Sequence, residues 1–156
     1  MGRESSNYNY RPSKDRKSQF VAVLSTFNAE RVVGLADIEG ATYYVIRGDD
    51  YWIDLEVREP NEKGYIVASV RIAVCNPLSI ESTMRRFFSE LFAKCSGRLI
   101  DRDAREEFVS IDDMDWSKMW AAHIARRTTF QNIYGEFDAP ISGGYVFKYM
   151  REVLGR

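Results

Sequence analysis

Histidine and cysteine are scarce in this 156-residue chain, which has one histidine, His123, and two cysteines, Cys75 and Cys95. No Cys-x-x-Cys pair and no second histidine exist, which excludes the usual structural zinc sets. A secreted domain stapled by disulfides carries more cysteines than this. The pattern predicts two reduced, buried thiols and a cytoplasmic setting. A Ser-His-Asp or Cys-His catalytic arrangement would have to use His123, and no Gly-x-Ser-x-Gly elbow occurs. Gly143-Gly144 stands alone, without the spacing of a phosphate loop. Asp101-x-Asp103 opens like a calcium loop, but Glu106 stands where that loop needs glycine. No apolar stretch approaches the roughly 20 residues that span a bilayer, and no leader pattern opens the chain. Charge of one sign is also lacking. The net of -1 gives no field to steer a nucleic acid or an acidic membrane.

What is present is an aromatic-rich, globular composition, with 45% apolar and 13% aromatic residues. The charge is uneven. Five cations against two carboxylates leave +3 within residues 1–19, so the remainder carries -4. Residues 1–18 are polar and show no hydrophobic period, which predicts a flexible basic arm. Tyr8, Tyr10, Arg11, Lys14, Arg16 and Lys17 within it have the composition of a nucleic-acid grip. The acidic body speaks against that use. Residues 19–156 are expected to form a single α+β domain.

Phe20, Val23, Leu24 and Phe27 make a helical stripe, although a short apolar run also fits a strand. The clearest signal follows. Thr42 to Arg47, Tyr51 to Glu59 and Tyr65 to Cys75 read as three strands. The turns between them are Gly48-Asp49-Asp50 and Pro60 to Gly64. Tyr51, Ile53, Leu55 and Val57 alternate with Asp54, Glu56 and Arg58, and Ile66, Ala68, Val70, Ile72 and Val74 share one face. A period of two with one polar side predicts an antiparallel meander half-covered by a core. Ser79 is placed to cap a helix carrying Ile80, Met84, Phe87, Phe88, Leu91 and Cys95 at helical spacing, and Gly97 suits its left-handed end. Two short strands, Arg98 to Ile100 and Glu107 to Ile111, come next. Asp112, Asp113 and Asp115 then lead into a helix with Trp116, Met119, Trp120, His123, Ile124 and Arg127. A last amphipathic stretch runs from Tyr145 to Leu154. The fold class is therefore α+β, an antiparallel meander with helices mainly on one face, in the order α-β-β-β-α-β-β-α-α.

The carboxylate pairs, Asp54 with Glu56 and Asp101 with Asp103 among them, read as solvated charges, and His123 as a packed residue. The outer face of the meander is the functional candidate. Keeping the apolar sets together puts Trp52 opposite Arg71, Asp54 opposite Ser69 and Glu56 opposite Val67. It also sets Ile46 beside Trp52 and Tyr44 beside Asp54. This face then offers Tyr44, Trp52, Asp54, Glu56 and Arg71, a mixture of aromatic and charged groups of the kind that dominates interfaces. Equally, a second layer could cover it.

In size and element order the pattern resembles the small acidic chaperones that bind secreted effectors. It also resembles many small cytosolic antitoxins. The function expected is a non-catalytic protein-binding module with a toxin or effector as partner. Its most concrete form is an immunity protein that occludes a toxin, with Tyr44, Trp52, Asp54, Glu56 and Arg71 in contact. A chaperone-like or adaptor homodimer and a small carboxylate-dependent enzyme are the alternatives. No cofactor, metal or membrane is expected, and the chain is expected to be a monomer or homodimer.

Overall fold

A computed structural model describes residues 5–32, 40–58 and 64–135. Among them, seven strands and three helices follow the order β1 (Ser5–Arg11), α1 (Lys17–Thr26), β2 (Glu30–Arg31), β3 (Ala41–Arg47), β4 (Trp52–Arg58), β5 (Val67–Ala73), α2 (Ile80–Cys95), β6 (Arg98–Asp101), β7 (Glu106–Phe108) and α3 (Trp116–Tyr134). A single turn of 3-10 helix, Ile111–Asp113, precedes α3. The strands form one antiparallel sheet in the order β2-β3-β4-β5-β1-β6-β7. This is an α+β architecture. No helix among the described residues is long and apolar enough to cross a membrane. The expected stretch from Tyr145 to Leu154 lies outside the described residues.

The segment that composition marks as a flexible arm holds an interior strand of the sheet instead. β1 pairs with β5 on one side and β6 on the other. Its sequence, SSNYNYR, alternates Ser6, Tyr8 and Tyr10 with Asn7, Asn9 and Arg11. Tyr8 and Tyr10 are fully buried on the helical side. Two large rings supply the apolar area, and two neighbouring strands satisfy the backbone. A strand so placed needs no aliphatic run.

The helices cover one face. α2 presents its expected stripe, and Ile80, Met84, Phe87, Phe88, Leu91 and Cys95 are all buried. Phe88 meets Tyr8 edge-on with ring centres 5.1 Å apart, and Phe87 meets Phe27 at 5.2 Å. Tyr10 sends its hydroxyl past the core to the Leu91 and Ser96 carbonyls at the C-terminal end of α2. Ser79 is the residue before α2, as expected, but its side chain makes no capping hydrogen bond. α1 buries Phe20, Val23 and Leu24, which settles the ambiguous run as helix. α3 is capped by Asp115, whose carboxylate accepts from the Lys118 N–H at 3.1 Å. The sheet ends on short, charged edges. β2 has two residues and β7 three, which limits edge-to-edge pairing.

Candidate functional site

Strand parity sorts the sheet into two faces. Ile46, Ile53, Leu55, Ala68, Val70 and Ile72 face the helices and belong to the core. The outer face takes the alternate positions, and there the register differs from the expected one. Asp54 pairs with Arg71, Glu56 with Ser69 and Arg58 with Val67, a shift of two residues. In the first hairpin Arg47 pairs with Trp52, Val45 with Asp54 and Tyr43 with Glu56, a shift of one. A shift of one turns side chains over. Tyr43 and Val45 therefore occupy the outer face, and Tyr44 and Ile46 the inner one. Tyr44 packs against the core beside Phe20, Leu24 and Val57. The expectation that Tyr44 joins a contact surface with Trp52 is corrected. Gly48, whose N–H donates to the Tyr51 carbonyl at 3.0 Å, closes the turn that fixes this register.

Trp52, Asp54, Glu56 and Arg71 do share the outer face, but they are not equally accessible. Asp54 is 3% exposed, Glu56 6% and Arg71 4%. The Arg71 guanidinium meets the Asp54 carboxylate at 3.3 Å across the directly paired strands. Glu56 accepts from Arg58 at 2.9 Å and from the Tyr43 hydroxyl at 3.3 Å. Burial pushes the Glu56 carboxyl above its ordinary range, and the Arg58 charge partly offsets this. These carboxylates are interior charges, and the expectation that they are solvated is corrected. Removing one partner of such a pair costs about 3–5 kcal/mol, because the other charge is left buried.

Trp52 is half-buried at the start of β4. The fully buried Asn76 holds its backbone. Asn76 Oδ1 accepts from the Trp52 N–H at 2.7 Å, and Asn76 Nδ2 donates to the Trp52 carbonyl at 2.9 Å. Both backbone groups of Trp52 are thus fixed by one side-chain amide from the turn after β5. The same amide also donates to the Ala73 carbonyl at 2.9 Å. Asn76 carries no periodic signal of its own, so nothing in the sequence pattern marks this role.

On the helical side, His123 is fully buried, as its helical spacing with Trp116 and Trp120 implied. The Trp120 ring stacks on it with centres 5.2 Å apart. His123 Nδ1 shares a hydrogen bond of 2.8 Å with Ser6 Oγ, and Arg126 donates to the same hydroxyl at 2.6 Å. Burial, together with the Arg126 and Arg127 charges, lowers the imidazole pKa to about 4. His123 Nε2 and Tyr8 Oη are buried without a hydrogen-bond partner among the described residues. Asp101 turns the β6–β7 connection by accepting from the Asp103 and Ala104 N–H groups, each at 3.0 Å. Asp103 accepts from the Asn7 N–H at 2.9 Å. The Asp101-Asp103 pair is therefore a structural knot and not a free charged loop.

The sequence matches no protein family, and no curated protein or solved structure is significantly similar to it.

Proposed function

We propose that the chain is a protein-binding module that acts by occupying a partner's surface, with Trp52 as its anchor. The observation that carries this reading is the clamp on Trp52. A half-exposed indole whose backbone is held on both sides by a buried amide loses little freedom on association. Rigid aromatic anchors of this kind supply a large share of interface energy. The ion-paired Asp54–Arg71 and Glu56–Arg58 groups beside it stiffen the strand and give the surroundings a defined charge pattern. Asp54, Glu56 and Arg71 are too buried to be the contact layer themselves, and their role in this reading is to hold the face in shape. An immunity protein that blocks a toxin, with its site in the cytoplasm, is the most specific form of the proposal.

The test is capture of partners from the native cell with the tagged chain, in parallel with Trp52→Ala. Truncation of the anchor is expected to weaken a stoichiometric partner by about 2 kcal/mol or more, roughly thirtyfold. A Trp52→Ala chain that keeps its thermal unfolding midpoint and binds the partner unchanged ends the assignment.

A further inference from the structure

The outer face carries a second feature, away from Trp52, where β1 leaves the sheet. The register sets Arg11 of β1 directly across from Arg98 of β6. Like charges in directly opposed cross-strand positions repel. Arg98 is partly neutralised by Glu107 on β7, at 2.9 Å between half-exposed side chains. Arg11 has no carboxylate partner among the described residues, and its guanidinium lies over the Tyr65 ring, 4.5 Å from the ring centre. Lys14, in the connection to α1, likewise has none, and its stem crosses Gly64.

These three cations border one open cavity of about 270 Å³. Its floor is a close crossing of two backbones. Gly97 has φ +89°, and a Cβ there would lie 2.1 Å from the Arg11 carbonyl oxygen. Only glycine permits this approach, so the spacing of Arg11 and Arg98 is fixed by the fold. Tyr65 and Val109 give the wall an apolar part. Two guanidinium forks from adjacent strands and one ammonium, set around a single opening, are suited to planar and tetrahedral oxyanions.

We propose that this cavity binds a doubly charged oxyanion, in the form of a small phosphorylated molecule. Arg11 and Arg98 donate to the phosphoryl oxygens, Lys14 adds a mobile charge, and Tyr65 with Val109 borders the organic part. The bound anion relieves the Arg11–Arg98 repulsion. This site stands on observations separate from the Trp52 clamp, and either reading survives the loss of the other.

The probes are inorganic phosphate and phenyl phosphate, titrated at pH 7.5 against sodium chloride of matched ionic strength and followed by amide chemical shifts. Expected are saturable shifts centred on Arg11, Lys14, Tyr65 and Arg98. Arg98→Gln and Arg11→Gln should each weaken binding about tenfold, the loss of one charge-assisted hydrogen bond. Arg47→Gln, on β3, three strands away from β1, should leave binding unchanged. Tighter binding of phenyl phosphate assigns the ligand as a monoester, and equal binding assigns it as free phosphate. If Arg11→Gln unfolds the chain, the exposed Lys14→Gln carries the same test. Shifts that do not saturate, or equal weakening by Arg47→Gln, overturn the proposal.

Discussion

His123 sits on α3 against the start of β1, and the charges around it are of mixed sign. Arg126 and Arg127 follow it on its own helix, Ser6 meets it from β1, and Asp103 of the β6–β7 connection pairs with Arg126 at 3.7 Å. The cations and the burial dominate, so the folded imidazole titrates near pH 4, below its ordinary value of 6.5. The sign follows from proton binding. Between those two values the unfolded chain holds a proton that the folded chain does not, so acid favours unfolding. His123 contributes its full share of stability above pH 6.5 and loses it as the pH falls through 4. A shift of this size corresponds to about 3 kcal/mol. Urea unfolding at pH 7 and pH 4 should lose that much more stability in the native chain than in His123→Gln. Parallel pH curves for the two chains would show that the imidazole is not the titrating group.

The elements differ in how plainly the sequence announces them. α2 and the β3–β5 meander follow from periodicity, because each has one apolar face long enough to establish its period. β1 does not, since its aliphatic content is nil and its net charge resembles a tail. Only the alternation of Ser6, Tyr8 and Tyr10 with Asn7 and Asn9 marks it, and a seven-residue alternation inside a polar segment is easily hidden. The β3–β4 register also escapes, because Tyr43, Tyr44, Val45 and Ile46 are all apolar and fit either face. The pattern therefore puts Tyr44 on the outer face where the register turns it inward, while the clear alternation around Trp52, Asp54, Glu56 and Arg71 fixes their shared face. Hydrogen exchange separates arm from strand. The amides of residues 7–10 should be protected to the level of Val70 and Ile72 in β5. Exchange of these amides within seconds, with β5 still protected, would return residues 5–11 to a flexible arm.

At the scale of the molecule, β1 is the join. Among the described residues, the β2-β3-β4-β5 meander and the β6-β7 hairpin share no direct strand pairing, and only β1 lies between them. Its partners lie far along the chain, with Tyr10 paired to Ala68 on one side and Leu99 on the other. Closing such long loops costs entropy before any contact is gained. The sheet therefore becomes continuous only when β1 inserts, and the two halves should lose structure together. Trp52 reports on the meander, and Trp116 and Trp120 report on α3, which is tied to the β6–β7 side by the Lys118–Glu106 and Arg126–Asp103 ion pairs. In denaturant, a chain with Trp52 alone and a chain with only Trp116 and Trp120 should unfold at midpoints that coincide once the stability effect of each substitution is accounted for. Asn9→Pro removes a ladder hydrogen bond from the interior of the sheet, where proline is not tolerated. In that background the two reports should separate, because the meander can keep its own hairpins while the hairpin loses its neighbour. If they still coincide in Asn9→Pro while the chain remains folded, the halves are coupled through the helical layer, and β1 is not the element that unites them.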